Sequence, residues 1–202
     1  MTKNLNSSQL KYTVYINNTE SLELEKQSNI NHYISVCSGL KSIYKAALDW
    51  YPGKKFKFTY VDVVPTAINF RKAFDLKCNK NSMSEILNQF EETNFIYPCT
   101  SKNKDIMNID NIIIDEVKQL NLQHVWKTFL NEYYLAPKEY FNINIINDVD
   151  IIKKTMSKDD IIWFFFSNSF KWHQFNYSKE IFNNWKDKFK DFNITLSGVW
   201  IK

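Results

Sequence analysis

The chain has 202 residues, 44% of them apolar and 24% charged, with a formal net charge of +4 and a pI near 8.8. That length and apolar content suffice for a single domain with a real core. The positive charge is scattered over lysines such as Lys153, Lys154, Lys186, Lys188 and Lys190, which describes a solvated surface and does not imply nucleic acid.

The three cysteines, Cys37, Cys78 and Cys99, are far apart and form no CxxC pair. Neither a disulfide framework nor a metal site is expected, and a reduced, cytoplasmic setting is the default. Met1 to Leu10 is polar, and the longest apolar run, Ile161 to Phe166, is too short to span a bilayer. A soluble protein without membrane contact follows as the expectation. The abundance of Asn, Lys and Ile beside only three glycines fits an AT-rich coding sequence, so single Asn or Lys residues carry little functional weight.

In chain order, Lys11 to Ile16 alternates as a strand and ends at the turn signal Asn17-Asn18. The charged stretch Thr19 to Asn31 has room for a short helix. His32 to Cys37 reads as a strand running into Ser38-Gly39. A helix follows, with Leu40, Ile43, Tyr44, Ala47, Leu48 and Tyr51 on one face. Pro52-Gly53 breaks the chain, and Phe56 to Val61 forms a second strand that closes on Asp62. Pro65 then opens a helix, where its missing N–H is no loss, with Ala67, Phe70, Ala73 and Phe74 inward.

From about 75 to 140 the alternation stops, and this stretch reads as a helical insertion. Ser82 to Glu85 is a capping box, Tyr97 to Asn108 is a polar loop, and Leu122 to Tyr134 is an amphipathic helix stopped by Pro137. The insertion is a candidate wall or lid for a site. Strand and helix resume with a strand over Phe141 to Ile146, ending at Asn147-Asp148, and a short helix over Val149 to Met156. A doubly covered strand, Ile161 to Phe166, comes next, ending at Ser167-Asn168-Ser169. Ser178 caps a helix burying Ile181, Phe182, Trp185 and Phe189, and Asn193 to Trp200 is a last strand.

This order predicts an α/β fold: residues 1–202 form a single Rossmann-like domain with a mostly parallel sheet and helices on both faces. Ligands of such sheets bind beyond the carboxyl ends of the strands, where the strand order reverses. Those ends carry Ser38-Gly39, Asp62, Asp148 and Ser167-Asn168. A glycine lets a ligand approach the backbone, and a carboxylate closing the next strand accepts hydrogen bonds from ribose hydroxyls. The interval from Gly39 to Asp62 is close to the roughly 20 residues of a dinucleotide site, although two of the three fingerprint glycines are missing.

Ile34 to Ser42 and Tyr60 to Ala67 resemble the first- and second-strand motifs of class I S-adenosylmethionine-dependent methyltransferases. Ile146 to Val149 and Asp159 to Asn168 are similar to the third- and fourth-strand motifs. The resemblance covers residues 31 to 74 and 141 to 202. It implies S-adenosylmethionine as cofactor and a small-molecule or macromolecular methyl acceptor. Ser38, Gly39, Asp62 and Val63 would then contact the cofactor, with Asp62 on the ribose and Asp148 on the adenine. Ser167 and Asn168 would lie near the transferred methyl. The first motif lacks the family's usual strand acid, and no closing strand pair follows the fifth strand.

Each position has a plainer alternative. Gly39 can end a strand, Asp62 can form a turn before Pro65, Asp148 or Asp150 can cap a helix, and Ser167 and Asn168 can sit in a satisfied turn. His173 is a candidate general base or an exposed loop histidine. Two rival functions stay open: another nucleotide-dependent enzyme, using nicotinamide or sugar nucleotides, and a non-catalytic Rossmann-like binding module.

Overall fold

The computed structural model describes residues 13–15, 23–37, 39–77, 85–86, 94–96, 109–167, 169 and 177–198. Strands β1 (Thr13–Tyr15), β2 (His32–Val36), β3 (Lys57–Asp62), β4 (Asn94–Ile96), β5 (Lys138–Asn142), β6 (Ile161–Ser167) and β7 (Asn193–Gly198) alternate with helices. The helices are α1 (Lys41–Asp49), α2 (Pro65–Lys77), α3 (Ile109–Gln119), α4 (Gln123–Leu135), α5 (Val149–Lys153) and α6 (Lys179–Asp187).

Five strands form an all-parallel sheet in the order β5-β3-β2-β6-β7. The chain starts at the centre, moves out through β3 to β5, then returns to the other side of β2. The order therefore reverses between β2 and β6, which makes their carboxyl ends the switch point of a Rossmann-like sheet. Parallel pairing requires crossovers, and these bury both faces. Tyr33, Phe58, Tyr60, Trp163 and Phe165 pack toward α1, α2 and α4, while Ile34, Val61, Ile162, Phe164 and Phe166 pack toward α5 and α6. Residues two apart share a face, so the side chains sort themselves by strand periodicity alone.

Several boundaries differ from the sequence reading. The strand expected over Phe141 to Ile146 lies instead at Lys138–Asn142. It starts directly after Pro137 and is ended by Asn144, whose Oδ1 accepts the N–H groups of Ile146 and Asn147. Ile145 and Ile146 still reach the core, but from a turn. The Asn193 strand ends at Gly198 within the described residues. Residues 23 to 30 hold no helix. Tyr51 is 52% exposed and Ile181 40%, while Trp50 is buried in place of Tyr51.

The first strand, described over Thr13–Tyr15 of the Lys11 to Ile16 expected, pairs in parallel with β4 in a separate two-stranded sheet and does not extend the main one. Within the insertion, α4 acts as a layer of the core: Phe129 and Tyr133 are fully buried, and the Tyr133 ring meets Phe58 edge-on at 4.9 Å. Ser82 to Ser84 of the capping box and the loop Tyr97 to Asn108 lie outside the described residues. Among those described, no helix is long and apolar enough to cross a membrane.

Candidate functional site

β2 and β3 pair in register, Val36 opposite Val61, so the Gly39 bend and Asp62 leave the sheet at neighbouring points. Gly39 is buried with φ 73°, a left-handed conformation that costs an L-residue roughly 1–2 kcal/mol and glycine almost nothing. Helix α1 starts two residues later. Asp62 is half-buried, and its Oδ1 accepts the N–H of Val64 at 3.0 Å, which shapes the turn into α2. Burial pushes the Asp62 carboxyl up to about 6, against the N–H groups of Val64, Cys37 and Val63 and the charge of Arg71, which favour the ionised form. The carboxylate thus sits against the end of β2, not in bulk water. Val63, beside it, is 43% exposed.

On the other side of the switch point, Ser167 has φ 53°, unusual for a residue with a side chain. The β6–β7 register shifts between Phe165 and Ser167. A Cβ on Gly198 would stand 2.6 Å from the Ser167 carbonyl oxygen and 2.7 Å from the Phe166 ring, so this strand end curls only because position 198 is bare. Ser169 donates its N–H and its hydroxyl to the Phe166 carbonyl. Asp148 is not at a strand end. It stands ahead of α5, six positions beyond β5, and its Oδ2 accepts the Asn144 N–H at 2.8 Å. Gly39, Asp62, Val63 and Ser167 therefore lie at or just beyond the carboxyl ends of the adjacent strands β3, β2 and β6, and Asp148 belongs to the loop after the outer strand. Ser38, Asn168 and His173 lie outside the described residues.

Beneath the strand ends runs a row that the sequence reading missed. Tyr140, Tyr60, Ser35 and Phe165 are successive cross-strand partners on β5, β3, β2 and β6. Three of the four carry a cation over the ring: Lys72 Nζ over Tyr140 at 5.5 Å, the Arg71 guanidinium over Tyr60 at 4.7 Å, and Lys41 Nζ over Phe165 at 5.0 Å. Such contacts help hold charge away from water. Arg71 is completely buried. Its Nε and Nη2 donate to the Cys37 carbonyl at 3.2 and 2.8 Å, and Nη2 also donates to the Gly39 carbonyl. Burial opposes its charge, but Tyr60, Tyr133 and the Asp75 carboxylate outweigh it and keep the guanidinium protonated. Asp75 in turn accepts the hydroxyls of Tyr133 and Tyr140. The signal was present in the composition: Arg71 is the only arginine among 26 basic residues.

Two other features carry polar groups in close array. Thr59 Oγ1, His32 and Asp160 line up as a hydroxyl–imidazole–carboxylate chain, at 2.9 Å to Nε2 and 3.1 Å from Nδ1. Thr59 and His32 are buried between strands, so no substrate reaches the hydroxyl and the chain ties β2, β3 and the start of β6 together. A cleft of about 450 Å³ opens among Lys54, Lys55, Lys57, Glu132, Leu135 and Asp160. It lies at the amino ends of the strands, opposite the crevice, and its lysines 54 and 57 already bond Tyr33, Asp49, Thr155 and Asp160. Cys37 is buried, and burial pushes its thiol well up, which makes it inert as a nucleophile. Among the described residues, no group of three His, Cys, Asp or Glu side chains is placed to hold a metal ion. No family model matches the chain, and no match is found among characterised proteins or solved structures.

Proposed function

We propose that the chain binds S-adenosylmethionine at the β2–β6 switch point and transfers its methyl group to an acceptor. One observation carries this reading: the all-parallel order sets the buried Gly39 bend and the half-buried Asp62 carboxylate side by side at the ends of β2 and β3. The residues fit the adenosine part of such a cofactor. Asp62 accepts the Val64 N–H at Oδ1 with the N–H groups of Cys37 and Val63 against the same carboxylate, and an ionised carboxylate has about four acceptor positions, so ribose hydroxyls can still be held there. Val63 offers an exposed apolar side chain next to that carboxylate. Gly39 admits the ligand close to the backbone, and Ser167 borders the far side of the crevice.

When bound, the cofactor supplies an electrophilic methyl group on a sulfonium whose charge already activates departure. Positioning then does most of the catalytic work, so a dedicated base is optional and His173 need not take that part. Asp148 keeps its adenine assignment only from the motif resemblance, since its carboxylate is engaged with Asn144.

Thermal shift with S-adenosylmethionine, S-adenosylhomocysteine, nicotinamide dinucleotide and a uridine diphosphate sugar tests the reading. A ligand at 100 times its Kd adds about 2.7 kcal/mol of stability. Stabilisation by the first two alone, lost in Asp62→Ala, supports it. Stabilisation by the dinucleotide or the sugar nucleotide instead points to a different nucleotide enzyme. Binding without methyl transfer to any offered acceptor class points to a non-catalytic module.

A further inference from the structure

We propose that Arg71 is a positioning residue that orients the cofactor loop, turning the carbonyls of Cys37 and Gly39 away from the crevice so that backbone N–H groups face it. The proposal rests on the cofactor reading above for its ligand, but the latch itself is a property of the fold.

A planar trans peptide sets its C=O and N–H on opposite sides. With the Gly39 carbonyl drawn inward onto Arg71, the N–H of Leu40 in the same peptide plane points outward. An anionic or lone-pair-rich part of a ligand meets a donor there and not a carbonyl oxygen, the arrangement that helix-start anion sites use. The Cys37 carbonyl is held by two nitrogens of the same guanidinium, so the strand end cannot rotate independently of the bend.

The residue type matters. A chain that uses lysine for every other basic position has arginine where two carbonyls must be bonded from one buried cation. The planar fork supplies several fixed donors, whereas an ammonium is a strongly hydrated point charge. Burial of that cation is supported by the Tyr60 face below it, by Phe74 at 5.4 Å, and by Asp75 one turn further along α2. Those supports hold the donor still. Among the described residues, the buried Arg71 Nη1 has no hydrogen-bond partner, so polar capacity is left over on this side of the loop.

The test measures S-adenosylhomocysteine affinity by calorimetry and amide hydrogen exchange at residues 37–42 in the wild type, Arg71→Lys and Arg71→Met. Tyr140→Phe, which trims the same network without touching the loop, controls for general destabilisation. We expect at least a tenfold loss of affinity in Arg71→Met, a smaller loss in Arg71→Lys, and at least tenfold faster exchange in the loop but not in Tyr140→Phe. Unchanged affinity in a folded Arg71→Met would overturn the proposal. If the wild type does not bind S-adenosylhomocysteine, the cofactor reading falls. Loop exchange then decides the latch by itself: acceleration confined to the Arg71 variants supports it, and no acceleration sinks it. Should both variants fail to fold, the Nε–H resonance of wild-type Arg71 is followed instead. A slowly exchanging signal that shifts on adding S-adenosylhomocysteine supports the latch, and one that exchanges freely or ignores the ligand overturns it.

Discussion

The Arg71 guanidinium lies between the two halves of the candidate site: it bonds the Cys37 carbonyl at the end of β2 and its charge favours ionisation of Asp62 at the end of β3. One buried cation on α2 therefore conditions both the loop backbone and the carboxylate. For Asp62 the N–H groups of Val64, Cys37 and Val63 come first in favouring the ionised form against burial, and this cation adds to them.

Asp62→Asn separates stability from function. The folded carboxyl stands near 6 against an ordinary 3.8, so its extra stability is present below 3.8 and is lost as pH rises through 6. An amide has no such loss and can still accept the Val64 N–H. The variant is expected to gain about 1 kcal/mol at pH 7.5, less than the full shift would give because the group is partly solvated. That gain vanishes below pH 4, as urea titrations at the two pH values will show. Calorimetry should find S-adenosylhomocysteine binding at least tenfold weaker.

The same carboxyl sets a pH dependence for the ligand. Only the ionised form accepts both ribose hydroxyls, so affinity in the wild type should hold from pH 8 to 7 and fall as pH drops through about 6. Calorimetry across pH 5 to 8 measures this, and a flat profile would remove Asp62 from the ribose role.

Gly39→Ala forces a side chain onto a backbone at φ 73°. The expected cost is about 1–2 kcal/mol of stability, read from chemical denaturation. Affinity should fall further than in a surface variant of equal stability, because the strained bend belongs to the proposed cofactor loop.

His32 makes the fold acid-sensitive. Burial, then the charge of Lys57, lowers its imidazole from 6.5 to about 4, against the pull of Asp160. A depressed folded value means stability present above 6.5 and lost as pH falls through 4. That amounts to roughly 2–3 kcal/mol over the window. The neutral ring donates from Nδ1 to Asp160 and accepts at Nε2 from the Thr59 hydroxyl. Thr59→Val should cost about 1–3 kcal/mol at pH 7 by leaving Nε2 unpaired. Equilibrium unfolding at pH 7 and 4.5 checks both effects.

Ser178→Ala probes the start of α6. The Ser178 hydroxyl accepts the Ile181 N–H, and its loss should cost about 1 kcal/mol. Thermal melts will register it.

Local chemistry was legible where one side chain decides one feature. The alternation of short apolar strands with amphipathic helices determined the α/β class, Gly39 a turn after the strand, Pro65 a helix start, and Ser178 a cap. The boundary of β5 was not legible, because Phe141 to Ile146 alternates like a strand while Asn144 folds it into a turn through bonds to its own neighbours.

The sequence by itself determined that this chain builds covered strands and helices with Gly39 and Asp62 at strand ends, because periodicity and turn chemistry act within a few residues. Only the tertiary structure decided the strand order, the separate pairing of β1 with β4, the removal of Asp148 from the strand ends, and the burial of Arg71 beneath the Gly39 loop. Those depend on contacts between residues tens of positions apart. Which of them form is settled by the competition to bury aromatic faces and satisfy buried charge, a sum over the whole fold that no local window contains.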